Sequence, residues 1–300
     1  MSYDPHLINR KKIFTFVILT ILISWTAAGL FYLSGLEWGS FFAMAFAIVY
    51  MFFPLLSTII VQRFIYKQPV MKTYGVNTNI NKWFLVAWGL PVLLTFATIG
   101  VSLLLPGVSY SSEMAGLTSY LGDYIPEDIV EEMPFSPAAV FWLMLLQGII
   151  AGPTINAIAA FGEELGWRGF LLKETASAGF WKSALFIGFV WGIWHAPLIL
   201  MGHNYPGYEI AGVFMMTLWC ILLSPAFSYI TIKANNVIAA AIFHGSLNAV
   251  GGLAIMPLAG SRPLLTGVMG LAGFLVLIVI NLVILYLGRP EELIQKKFFN

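Results

Sequence analysis

Charge is scarce in this chain and cysteine almost absent. Only 10% of the 300 residues are Asp, Glu, Lys or Arg, against roughly 25% in soluble domains, which excludes an ordinary water-soluble globule. The single cysteine, Cys220, rules out a disulfide framework, a Cys-based zinc site and a CxxC redox centre. A net charge of +1 supplies no basic footprint, so nucleic acid is not an expected partner.

What fills the chain is apolar. The hydrophobic fraction is 59% and the mean hydropathy +0.86. A hydrocarbon layer is crossed by about 20 helical residues. Eight runs meet that length, at about 13–34, 41–65, 83–105, 138–160, 181–201, 210–232, 237–257 and 264–287. The expected fold is all-α: a polytopic membrane helix bundle with about eight transmembrane helices, forming one integral-membrane domain over residues 1–300 with the lipid bilayer as its surroundings. The run from Ile13 to Leu33 exceeds a signal-peptide core and has no clear A-x-A site, so it reads as a retained first span.

Cations give the orientation. With the N-terminus inside, the cytoplasmic segments hold Arg10, Lys11, Lys12, Arg63, Lys67, Lys72, Lys82, Lys173, Lys182, Lys233, Arg289, Lys296 and Lys297, and the other side only Arg262. Both termini are therefore expected in the cytoplasm. The interval 107–137 is the one long polar stretch; it carries Glu113, Asp123, Glu127, Asp128, Glu131 and Glu132 and reads as an outer lid or interfacial loop.

Against this background a few polar residues stand out, because ionisable groups at membrane depth are costly and usually functional. Glu163, Glu164 and Arg168 follow the fourth apolar run, His195 lies in the fifth just before a break at Ala196-Pro197, and His244 and Asn248 lie in the seventh. On a helix Glu164 and Arg168 face each other, while Glu163 is rotated by about 100° and points elsewhere. A carboxylate left in an apolar pocket can serve as a general base. His244 and Asn248, four residues apart, can donate to an oxyanion. Taken singly, each has a plainer reading: a solvated helix face for Glu-Glu-x-x-x-Arg, a polar bridge between helices for His and Asn. His6 and His203 read as solvated, and Gln147, Asn156 and Asn281 as helix–helix contacts.

Taken together, Glu163-Glu164-x-x-x-Arg168, Trp191-x-x-x-His195 and His244-x-x-x-Asn248 resemble the three motifs of the CPBP intramembrane endopeptidases. That family unites type II CAAX prenyl endopeptidases with bacterial Abi proteins, and the motif core here covers about residues 138–256. The family's second motif usually reads Phe-x-x-x-His; Trp191 stands here instead. The resemblance implies hydrolysis of a peptide bond in a membrane-associated or prenylated protein or peptide substrate. Glu163 with His195 would activate water, His244 with Asn248 would hold the oxyanion, and Glu164 and Arg168 would support the motif helix. Two histidines with a glutamate match a known catalytic zinc set, but Asn248 is a poor zinc ligand and there is no His-Glu-x-x-His helix. Zinc is left open, with metal-free glutamate chemistry preferred.

Other protease classes fit poorly. Asp4, Asp123 and Asp128 all lie outside the runs, so no aspartic dyad is available. Ser246 is two residues from His244 and points about 200° away on a helix. The competing readings are a transporter or proton relay using the same polar residues, for which no internal repeat is evident, and a non-catalytic immunity or scaffold protein. A hydrolytic site requires the tips of Glu163, His195, His244 and Asn248 to ring one cavity less than about 8 Å across, within water-bridging reach. That in turn requires the Glu-Glu motif to lie on a helix running on to Lys173.

The cation asymmetry yields the first prediction. A cysteine introduced at Glu127 is expected to react with an impermeant maleimide on intact cells, and one introduced at Lys182 only after permeabilisation. The reverse pattern overturns the orientation.

Overall fold

The structure is a computed structural model that describes residues 9–71, 74–117 and 135–299. His6, Lys72 and the acidic residues Asp123 to Glu132 lie outside the described residues. Helices dominate: α1 (Arg10–Leu33), α2 (Phe41–Ile65), α3 (Lys82–Ser102), α4 (Pro137–Ala178), α5 (Phe180–Leu200), α6 (Glu209–Ala234) and α7 (Val237–Ile255) are each long and apolar enough to cross a membrane. An eighth, α8 (Leu271–Leu287), is shorter and bends by 70° into α9 (Pro290–Phe298). The expected helix bundle is thus observed, with seven spans among the described residues, or eight if that bent pair is one. The only strands described, β1 (Ser109–Tyr110) and β2 (Leu258–Ala259), pair antiparallel.

Helix starts follow local chemistry. The side chains of Asn9, Ser40, Asn81, Ser136 and Asn236 each accept from a backbone N–H of the first turn, satisfying donors a helix leaves unpaired. Two boundaries differ from the apolar runs. The eighth helix starts at Leu271 rather than near residue 264, because Arg262 and Thr266 bond to each other in a turn and Gly267 takes φ +78°. The fourth run does not stop near residue 160 but continues as one helix to Ala178. Its charged second half looks amphipathic in sequence yet is covered by protein: Leu165 and Trp167 to Leu172 are all buried.

The helices are not equivalent. The apolar windows of α5 and α7 are 67% buried, against 28% in α1 to α4, so α5 and α7 form the centre. Outward residues such as Phe14, Leu33, Leu93 and Tyr286 are exposed and make the apolar surface a bilayer covers.

Two glycine-mediated crossings set the centre. A Cβ on Gly245 of α7 would lie 2.4 Å from the Gly152 carbonyl oxygen of α4, and one on Gly192 of α5 would lie 2.5 Å from Thr217 Cα of α6. Only small residues allow backbones so close, the usual basis of helix association in lipid. Gly245→Ala is therefore expected to destabilise the protein by about 1–3 kcal/mol or more. Gly89→Ala, where a Cβ meets nothing within 4 Å, is expected to be silent; thermal unfolding in detergent checks both.

Candidate functional site

The polar residues of α4 lie where the helix changes winding. Ala157–Glu164 is regular α-helix, and Leu165–Leu171 widens into π-helix, a feature frequent at functional sites. Glu163, Glu164 and Arg168 are buried at 2%, 0% and 2% exposure. The solvated-face reading of Glu-Glu-x-x-x-Arg is thereby excluded.

The two carboxylates have different partners. Glu164 takes Arg168 Nη1 at 3.1 Å on Oε1 and 3.0 Å on Oε2, and its Oε1 also accepts from His244 Nδ1 at 2.8 Å. Glu163 points the other way, as the 100° rotation requires. Its Oε2 accepts the indole N–H of Trp191 at 2.7 Å and of Trp167 at 3.4 Å, and Oε1 accepts no hydrogen bond from a described residue.

Arg168 is enclosed by π-systems. Its guanidinium carbon sits 4.4 Å from the Trp191 ring centre and 4.2 Å from that of Phe227, cation–π contacts that strengthen where water is excluded. Its Nε and Nη2 have no hydrogen-bond partner among the described residues, so the ring faces and Glu164 face the charge between them.

On α5, the break at Pro197 behaves as its missing N–H dictates. His195 N–H bonds back three residues to Gly192 O at 3.1 Å, and Leu198 N–H to His195 O at 3.0 Å. The ring of His195 places Nδ1 2.8 Å from the Trp191 carbonyl oxygen. A carbonyl only accepts, so Nδ1 carries the hydrogen and Nε2 presents a lone pair. Trp194 donates to Ser24 Oγ at 2.7 Å and accepts through its carbonyl from Tyr50 Oη at 2.9 Å, tying this turn to α1 and α2.

Trp191 is the common neighbour. Its ring centre lies 5.7 Å from that of His195 and 5.6 Å from that of His244, while its N–H holds Glu163. The structure thus gathers Glu163, Glu164, Arg168, His195 and His244 from three helices. Asn248 is one turn beyond His244 on the same face, exposed and without a hydrogen bond among the described residues. Ser246 is buried against Gly152 on α4 and makes no bond to His244. Among the described residues no three His, Cys, Asp or Glu side chains form a set able to hold a metal ion.

Some expectations for the remaining polar residues need correction. Asn156 and Asn281 do bridge helices, donating to Gly245 O at 3.4 Å and Leu222 O at 2.7 Å, whereas Gln147 is exposed. His203 is not freely solvated: it packs edge-on to Trp38 with ring centres 5.2 Å apart, and burial pushes its pKa below the ordinary value. Lys12, counted among the cations of the cytoplasmic segments, is buried and pairs with Glu174 at 2.6 Å. The hydrogen bonds of Trp167 and Trp191 to Glu163 were not foreseen; the one signal was a tryptophan at a position expected to hold phenylalanine.

Comparison with known proteins centres on the same region. The family described as type II CAAX prenyl endopeptidase Rce1-like matches residues 137–250. A protein named CAAX prenyl protease 2 from Methanococcus maripaludis is 28% identical over 210 residues, 65% of this chain and 66% of that relative. The chain thus aligns with just under two thirds of the relative's length. No solved structure matches.

The buried Glu164–Arg168–His244 group generates a stability prediction. Removing one partner strands a charge, at a cost of about 3–5 kcal/mol, so Arg168→Ala is expected to lower the melting temperature sharply. Replacing both charges together, as Glu164→Gln with Arg168→Met, is expected to recover part of the loss. An unchanged melting temperature in Arg168→Ala would show that the pair does not hold the helix.

Proposed function

We propose that the chain is a member of the CPBP family and an intramembrane endopeptidase that hydrolyses a peptide bond by glutamate-activated water. The observation that carries this is Glu163: a buried carboxylate with one oxygen tethered, one unengaged by any described residue, and two histidines around the same tryptophan. A structural carboxylate would be expected to have both oxygens paired, as those of Glu164 are.

In the proposed reaction a water lies between Glu163 Oε1 and His195 Nε2. Glu163 takes its proton as the water oxygen attacks the scissile carbonyl, forming a tetrahedral oxyanion. His244, with Nδ1 committed to Glu164, turns Nε2 to the substrate and in its protonated form donates to that oxyanion. The Asn248 amide, with no other bond among the described residues, donates beside it. Collapse breaks the C–N bond; Glu163 returns the proton to the leaving amine, and the products are an amine and a carboxylic acid that ionises on release. Glu164 and Arg168 keep His244 in place.

We read the route as metal-free, since among the described residues no three His, Cys, Asp or Glu side chains assemble a ligand set. No step is routed through a metal. The substrate we propose is a membrane-associated peptide, with a prenylated C-terminal CAAX sequence as the leading class, after the printed name of the relative. The termini are proposed to be cytoplasmic.

Removing a general base or its partner costs roughly 10²–10⁴ in rate. Glu163→Gln and His195→Ala are each expected to lose at least about 10²-fold in cleavage of farnesylated and unmodified membrane peptides in detergent, with melting temperatures unchanged. A chelator is expected to leave the parent activity intact. Normal turnover by folded Glu163→Gln sinks the assignment, and activity lost to chelation and restored by zinc overturns the metal-free route.

A further inference from the structure

Trp191 is buried, 1% exposed, at the meeting point of three helices. Much of its packing would be served by any flat ring: Phe227 lies edge-on at 5.5 Å between ring centres, Trp219 at 6.2 Å, and the Arg168 guanidinium covers one face. What phenylalanine, the usual residue of the resembled motif, does not have is the indole N–H. That N–H is 2.7 Å from Glu163 Oε2.

The bond matters because of how a glutamate rotates. The last torsion of its side chain is broad and nearly two-fold, so a carboxylate among apolar walls presents either oxygen, at a range of angles. A strong donor on Oε2 removes that degeneracy. Trp167 reinforces it from α4 at 3.4 Å on the same oxygen, leaving Oε1 as the oxygen that faces a reactant. Trp191 also acts through its backbone, whose carbonyl fixes the His195 ring at 2.8 Å. One residue thereby sets the angle of both groups proposed to grip the water.

We propose that Trp191 is a positioning residue for the reaction, its indole N–H selecting Glu163 Oε1 as the oxygen that takes the proton from water. This rests on the reading of Glu163 as the base. It assigns to the tryptophan a role that packing alone does not supply, and it makes the donor, rather than the ring, the feature on which turnover depends.

The test is Trp191→Phe, which keeps a ring against Arg168 and removes the donor. Misplacing a reactive group by an ångström costs about 10²-fold, so kcat is expected to fall by about 10- to 100-fold with KM and melting temperature unchanged. Because Trp191 acts through Glu163, adding Trp191→Phe to Glu163→Gln is expected to cost no further activity. If the phenylalanine variant does not fold, site-specific 3-benzothienylalanine at position 191 keeps the bicyclic shape without the N–H and is expected to show the same loss of kcat. Wild-type kcat in either folded variant overturns the proposal. So does a loss that tracks melting temperature in the benzothienylalanine protein, which would make Trp191 structural. Full activity in Glu163→Gln is a separate outcome and removes the base assignment itself.

Discussion

A carboxylate in an apolar helix bundle cannot stand alone: left unpaired, a buried charge costs several kcal/mol. Glu164 meets that constraint with Arg168 on its own helix and His244 on α7, and much of the surrounding architecture serves to make those contacts. His244 comes within 2.8 Å because α4 and α7 cross with their backbones nearly touching at Gly152 and Gly245. Arg168 is kept extended by the two rings that cover its faces. Those rings come from α5 and α6, so the cluster links the four helices that frame the site. Since Glu164 already answers to a guanidinium and an imidazole N–H, its neighbour Glu163 is left to the tryptophans, and the adjacent carboxylates acquire separate environments from one turn of helix.

The winding of α4 contributes to that separation. A 42-residue helix at 1.5 Å per residue is about 63 Å long, roughly twice the hydrocarbon thickness. Its second half is surrounded by other helices rather than by lipid. The π-helical stretch Leu165–Leu171 falls in that protein-covered part, and a second one, Gly152–Asn156, precedes it in the more exposed half. At its far end Glu174 receives Lys12 from α1, so the first helix of the chain is clasped to the last turns of α4.

How much of this could be read in advance depends on range. Spans, the buried-charge anomaly and the Glu163–Arg168, His195 and His244–Asn248 motifs are local patterns of residue type and spacing, and these were legible. The depth of Glu163 was not, because a charged amphipathic sequence looks the same whether water or protein covers it; the difference lies in which distant helix packs there. The Glu164–His244 bond joins residues 80 apart and the Lys12–Glu174 bond residues 162 apart, and nothing in either local sequence announces its partner. The four-residue spacing sets Asn248 on the face of His244, but its exposure depends on where neighbouring helices end. Trp191 was visible as a departure from Phe, yet an N–H donor becomes informative only when an acceptor is found opposite.

The partners of Glu164 differ in another respect, the order in which the chain is made. Arg168 follows four residues later on the same helix, whereas His244 is separated from it by α5, α6 and half of α7. A chain inserted from its N-terminus delivers Glu164 to the membrane with Arg168 already beside it, so the carboxylate travels as a local ion pair, escorted before any tertiary contact exists. His244 arrives only when nearly the whole bundle has been synthesised. The arginine is in this sense a chaperone built into the helix, and the contacts around Glu164 stay incomplete until α7 has entered the membrane.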